Sequence, residues 1–175
     1  LICMPNHIPA YKEEAAIVDG SMRLDMLRLA MEQISKVSVS DFELKRDGYT
    51  YTVDTITRLK QLYPKLQIAF IIGDDSLFQL HKWHEFVCLA ALCEILVVAR
   101  EERRDTIEAY IHSFCTRYPA FRISYVEMPP VPVSSSEIRA RIANGSSVQG
   151  LVPDQVLQYI ETHALYKQET GRRQI

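Results

Sequence analysis

Ile68-Ala69-Phe70-Ile71-Ile72, closed by Gly73 and followed by Asp74-Asp75-Ser76, decides how this chain folds. The run has no polar alternate and is too short for a buried helix, so it reads as a strand covered on both faces. Ile95-Leu96-Val97-Val98-Ala99 repeats the pattern, and Phe121 to Val126 supplies a further strand. Phe86 to Leu92 and a polar stretch from about Arg103 to Tyr118 read as the helices between them. Apolar strands separated by helices form a parallel sheet with helices on its faces.

The same reading extends outward in both directions. Leu1 to Met4 is a short apolar strand stopped by Pro5-Asn6, and a loop runs through Pro9-Ala10-Tyr11-Lys12 to about Asp19. Met22, Met26, Leu29 and Ala30 recur at helical spacing, with Asp19 or Ser21 as cap. Val37, Val39, Phe42 and Leu44 suggest an exposed strand broken near Asp47-Gly48. Thr52 is placed to cap a helix carrying Val53, Ile56, Leu59 and Leu62, ended by Pro64. A helix after Ser134 ends at Asn144-Gly145, and Pro153 opens a last one with Val156, Leu157 and Ile160. The expected architecture is a three-layer α/β/α fold with a doubly wound parallel sheet, in one domain over residues 1–175. Ligands of such folds sit beyond the carboxyl ends of the strands. That singles out Asn6 to Lys12, Gly73 to Trp83, Arg100 onward, and Pro129 to Arg139.

Twenty basic and 22 acidic side chains leave a net charge of −2, which argues against a duplex nucleic-acid partner. Cys3, Cys88, Cys93 and Cys115 show no C-x-x-C spacing, and read as reduced thiols of a cytoplasmic protein. Of the histidines only His81 and His84 stand close together, without further ligands for a metal. No apolar run reaches the length of a membrane span, and none has the layout of a signal peptide.

Chemistry is offered by a small set of side chains. Val133-Ser134-Ser135-Ser136-Glu137-Ile138-Arg139 puts hydroxyls at a helix start, where free N–H groups and the dipole favour phosphate, and Arg139 adds a forked cation. Read alone, the segment is more simply an N-cap. Gly73-Asp74-Asp75 closes a strand, and a carboxylate there can hold a ribose hydroxyl; in isolation it is a turn with a helix cap. Trp83, among His81, Lys82, His84 and Glu85, is either a stacking surface for a heteroaromatic ring or a half-buried anchor. Tyr51-Thr52 before a helix could hold a carboxylate or phosphate. Lys12 and Arg100 lie at strand-end loops, where isolated cations are usually solvated. No Ser-His-Asp, Cys-His or paired-carboxylate arrangement is supported by spacing. Cations, hydroxyls and helix ends suit phosphate transfer by positioning and charge stabilisation.

Taken in order, these segments resemble the bacterial nicotinate-nucleotide adenylyltransferases of the nucleotidylyltransferase superfamily. The likeness runs from Met4-Pro5-Asn6 through Tyr51-Thr52, Phe70 to Leu77, Lys82-Trp83, Val133 to Arg139 and Leu151-Val152-Pro153-Asp154 to Ala164-Leu165-Tyr166. It implies a Rossmann-like nucleotidylyltransferase fold and transfer of AMP from ATP, with Mg2+, to nicotinate mononucleotide in NAD biosynthesis. By resemblance Trp83 stacks on the nicotinate ring, while Tyr51, Thr52 and the backbone at His84 meet its carboxylate. Gly73 and Asp75 line the adenosine side. Ser134, Ser135, Ser136, Ile138 and Arg139 match the S-S-T-x-I-R phosphate motif, with serine for threonine at 136. Asn6 and Lys12 belong to the loop over the reacting phosphates, Arg139 and Lys12 being the catalytic cations.

Two departures stand out. The family's Pro-Pro-His-Lys is here Pro9-Ala10-Tyr11-Lys12, so an imidazole is lost and the lysine kept. The family's opening strand, H-x-G-H turn and first helix are not found, roughly 30 residues by the size of a βαβ unit. The expectation is therefore a native protein longer at its N-terminus. Alternatives are an adenylyltransferase for nicotinamide mononucleotide or phosphopantetheine, or a nucleotide-binding protein without catalysis if the chain begins at Leu1. Neutral nicotinamide leaves an anion site at Tyr51-Thr52 unexplained, and phosphopantetheine gives Trp83 no ring to stack on. A homo-oligomer is compatible with all of these.

Overall fold

The computed structural model describes residues 1–9, 18–46, 48–99, 101–129 and 133–167. In chain order the elements are β1 (Ile2–Cys3), β2 (Ile8–Pro9), α1 (Gly20–Met31), β3 (Ser38–Val39), β4 (Tyr49–Thr50), α2 (Thr52–Leu62), β5 (Ala69–Gly73), α3 (Asp74–Gln79), α4 (Phe86–Leu92), β6 (Glu94–Ala99), α5 (Arg104–Arg117), β7 (Ile123–Glu127), α6 (Ser135–Ala143) and α7 (Asp154–Thr162). Short 3-10 turns occupy Leu80–Lys82 and Glu101–Arg103. Every strand pair among the described residues is parallel, and the sheets are flanked by helices, as a Rossmann-like α/β fold requires. The chain divides into two compact units, Tyr51–Pro130 and the pair of segments Leu1–Thr50 and Val131–Ile175.

The continuous unit is built on the sheet β5-β6-β7. Its register sets Phe70 beside Ile95 and Ile123, and Ile72 beside Val97 and Tyr125, so these side chains share one face. That face joins Val53 and Ile56 of α2, Leu77 of α3, Leu89 and Ala90 of α4, and Ile107 and Phe114 of α5 in one core. Ile95, Val97, Leu77 and Ile107 are fully buried. The alternate face differs from the sequence expectation. Ile71 and Val126 remain 44% and 39% exposed, because the unit's helices send their buried side chains to the Phe70 and Ile72 face. An aromatic cluster of Phe86, Phe114, Tyr118 and Phe121 closes the far end, with Phe86 stacked on Phe121 at 6.0 Å and edge-on to Tyr118 at 5.2 Å.

The discontinuous unit holds two small parallel pairs, β1 with β3 and β2 with β4. Asp19 caps α1, its carboxylate accepting from the Ser21 N–H at 2.8 Å. The Ser21 hydroxyl, followed by the Ser21 N–H, holds that carboxyl below its usual range. Met22, Met26, Leu29 and Ala30 of α1, at the expected helical spacing, pack with Val156 and Ile160 of α7 and with Leu165. The Tyr159 hydroxyl donates to the Asp25 carboxylate at 3.2 Å.

Several local expectations change. The exposed strand through Val37, Val39, Phe42 and Leu44 shrinks to Ser38–Val39. Ser40 Oγ accepts the Phe42 N–H and Lys45 pairs with Asp41 at 3.0 Å, so the chain turns there instead. Thr52 is the first helical residue of α2; Tyr51 stands at the N-cap and no side chain caps it. The loop expected from Gly73 to Trp83 is helical from Asp74. Ile8–Pro9, read as part of a loop, pairs with Tyr49–Thr50 as strands, where no strand was expected.

Candidate active site

In the continuous unit, α2, β5, α3 and the turn after it carry Tyr51, Thr52, Gly73, Asp75, Trp83 and His84. Leu80, fully buried, and Phe86, in the aromatic cluster, anchor the two sides of Trp83-His84-Glu85. The Trp83 N–H bonds to Leu80 O at 3.1 Å and the Phe86 N–H to Trp83 O at 3.2 Å, which fixes the bend. Glu85 completes it at φ 47°, a left-handed conformation. The half-buried Trp83 ring meets Phe70 edge-on at 6.1 Å. The His84 ring lies 4.3 Å from the Tyr51 ring, tilted by 33°. Two of the residues expected around a carboxylate thus touch, beside a helix start whose N–H groups no side chain caps.

Gly73 stands at the end of β5 and at the N-cap of α3. A Cβ placed on it meets nothing within 4 Å, so the space over this strand end is open. Asp75 follows on α3 with its side chain almost wholly exposed. Arg103, from the turn after β6, pairs with Asp74, lies 3.8 Å from Asp75 and sits over the Phe78 ring. It leaves the Asp75 carboxylate accessible for a hydroxyl-bearing ligand while tying the turn to the start of α3.

In the discontinuous unit, Ser134 does act as an N-cap: its Oγ accepts the Glu137 N–H at 3.1 Å. Ser135 and Ser136 form the first turn of α6, and Arg139 Nη2 donates to Ser136 Oγ at 3.1 Å. Arg141 is engaged elsewhere, with Glu137 at 2.6 Å. The guanidinium at 139 therefore shares its end of the helix with a hydroxyl and no carboxylate among the described pairs. Ile138 donates its N–H to Ser134 O, inside the helix ladder. Burial pushes the Tyr166 phenol up, and the Arg139 and Arg23 guanidiniums pull it down, so both cations act on one group. Asn6 is held by Arg23, which donates to its Oδ1 at 3.3 Å and its carbonyl at 2.7 Å. Lys12, Tyr11 and Arg100 lie outside the described residues.

Arg23 and Arg103 were not singled out by sequence reasoning. Both contact residues that were, through partners far along the chain, and no local motif marks them. Among the described residues no three His, Cys, Asp or Glu side chains gather as a metal site, and no helix is long and apolar enough to cross a membrane.

The cytidylyltransferase-like family model matches residues 1–141. A protein of Lachnoclostridium phytofermentans named "Probable nicotinate-nucleotide adenylyltransferase" is 34% identical over 167 residues, covering 95% of this chain and 83% of its own length. One of the same name from Dehalococcoides mccartyi is 36% identical over 174 residues, covering 97% and 83%. Among solved structures, Plasmodium falciparum nicotinic acid mononucleotide adenylyltransferase complexed with NaAD shares the fold, with a TM-score of 0.74 at 18% identity over 94% of this chain and 81% of that one. The order of segments from Met4 to Tyr166, the fold and these relatives agree: the chain belongs to the cytidylyltransferase-like family and, within it, to the nicotinate-nucleotide adenylyltransferases.

Proposed function

We propose that the protein transfers AMP from ATP to nicotinate mononucleotide, forming nicotinate adenine dinucleotide and pyrophosphate in NAD biosynthesis. Kinship along almost the whole chain carries this reading. The 5′-phosphate oxygen of the mononucleotide attacks the α-phosphorus of ATP, and the bond to the bridging oxygen of the β-phosphate breaks. Pyrophosphate leaves with that electron pair. The protein's part is to align the two oxygens and to offset the charge that develops.

In the continuous unit, Trp83 takes the nicotinate ring on its face. The start of α2 at Tyr51 and Thr52, with the backbone N–H of His84, takes the ring carboxylate. Gly73 leaves room for the nucleoside and Asp75 accepts from a ribose hydroxyl. In the discontinuous unit, the α6 start at Ser134, Ser135 and Ser136 and the Arg139 fork take phosphate oxygens, while Ile138, its N–H already given to Ser134 O, only lines that end of the helix. Asn6 and Lys12 serve the reacting phosphates. Magnesium enters as part of the ATP substrate, held chiefly by the phosphates and water, as this ion prefers. The proposal places the enzyme in the cytoplasm, without nucleic acid, and allows a homo-oligomer.

Pyrophosphate release, measured with ATP, magnesium and either nicotinate or nicotinamide mononucleotide, tests the reading. A strong preference for the acid supports it. Equal rates with the amide would remove the carboxylate site at Tyr51 and Thr52, and no release with either would leave a binding protein on this fold.

A further inference from the structure

Arg23, on the first turn of α1, engages all three guanidinium nitrogens with backbone and side-chain amide oxygens. Nε donates to Val18 O at 2.9 Å, Nη2 to Asn6 O at 2.7 Å and to His7 O at 3.0 Å, and Nη1 to Asn6 Oδ1 at 3.3 Å. These acceptors fix the group without neutralising it, so its positive charge stays in the local field. The tether is doubled on the other side, where the His7 N–H donates to Thr50 Oγ1 at 3.3 Å and Ile8 pairs with Tyr49. The segment at Asn6 and His7 is therefore held both by the β2–β4 ladder and by α1.

The amide of Asn6 is oriented by this contact. A guanidinium can only donate, so the atom facing it must be the carbonyl oxygen. The NH2 group is then the end left to meet a ligand, and phosphate oxygens are its natural acceptors. We propose that Arg23 is a positioning residue for the phosphate-transfer step: it acts through Asn6, turning that amide so that its donor end faces the reacting phosphates. This rests on the adenylyl-transfer reading above. Arg23 and Arg139 both act on the Tyr166 phenol, so both cations stand within electrostatic range of that group.

The test is steady-state kinetics of pyrophosphate release for Arg23→Met, Arg23→Lys, Asn6→Ala and the double variant Arg23→Met with Asn6→Ala, with a thermal melt of each. We expect Arg23→Met to lower kcat about tenfold or more, the effect of removing one charge-assisted hydrogen bond from the transition state, with the KM for nicotinate mononucleotide changed less than about threefold. Arg23→Lys, which keeps the charge but not the fork, should recover part of kcat. Because one residue works through the other, the double variant should be no slower than the slower single one. Folded Arg23→Met with wild-type kcat, or reductions that multiply in the double variant, would overturn the proposal and leave adenylyl transfer intact. Should Arg23→Met not fold, the kcat of Arg23→Lys and its coupling to Asn6→Ala decide by the same criteria. A wild-type protein that releases no pyrophosphate from either mononucleotide overturns both.

Discussion

Replacing Trp83 by alanine separates what its ring does for the fold from what it does for a ligand. The ring is half-buried and meets Phe70 edge-on at 6.1 Å. Such a pair contributes roughly 0.5–1.5 kcal/mol beyond the area it covers. With the burial of part of the indole removed as well, the fold should be weakened by about 2 kcal/mol in total. For a chain of this length that lowers Tm by about 4–8 °C. The open face has a separate magnitude. Stacking of a heteroaromatic ring on an aromatic side chain is worth roughly 1–3 kcal/mol, or about 5- to 150-fold in affinity. Trp83→Ala should therefore raise the KM for nicotinate mononucleotide within that range, with a much smaller change in the KM for ATP. Trp83→Phe, which keeps a flat ring and the edge contact, should recover most of both effects. The assay is initial-rate pyrophosphate release below the melting transition, with each substrate varied in turn. If Trp83→Ala melts lower but keeps its KM for the mononucleotide, the ring is an anchor of the fold and the stacking argument fails.

Three further outcomes follow from the same geometry. Arg139→Lys, which keeps the charge but loses the fork, should cut kcat by roughly tenfold at saturating substrate; wild-type turnover would remove Arg139 from the phosphate site. Burial pushes the Cys93 thiol up from the usual 9.0 to about 11, so above pH 9 the unfolded chain ionises while the folded one does not. The stabilisation is complete below pH 9 and lost as pH rises toward about 11; urea melts of wild type and Cys93→Ala should diverge across that window, and parallel curves would contradict the burial argument. Chelation of magnesium by EDTA should abolish pyrophosphate release and leave the melting temperature unchanged, and a matching fall in Tm would instead reveal an ion bound within the fold.

Long apolar runs made β5 and β6 legible, because five such residues between turn signals fit a strand and are too short for a buried helix, even though Ile71 stays partly exposed. The face of α1 was legible for a similar reason: Met22, Met26 and Leu29 recur at the helical period and do enter the α1–α7 core. Of the two-residue strands, β1 and β3 were read in place, but β2 and β4 were not. Ile8–Pro9 and Tyr49–Thr50 exist through their pairing with each other, a contact between distant segments that leaves no local pattern. The site divides along the same line. Ser134 announces its cap by residue type, and the Ser134 to Arg139 motif is local. The ring contact of Tyr51 with His84 depends on the fold bringing α2 to the turn before α4. Arg23 was hidden because its partners are mostly backbone oxygens, which every sequence position possesses.

The discontinuity of one unit bears on the order in which the protein can be made. The segment from Tyr51 to Pro130 leaves the ribosome as one stretch, so its core around Ile95 and Val97 has all its members before synthesis ends. The apolar side of α1 has no such fortune. Val156 and Ile160 of α7 emerge about 130 residues after Met22 and Met26. At usual elongation rates the wait between them is on the order of 7–27 s. For that interval a nascent chain carries an uncovered methionine-rich stripe, a natural landing place for a ribosome-associated chaperone. Codon choices that slow translation between residues 131 and 154 should lengthen the exposure without altering a single contact of the finished molecule.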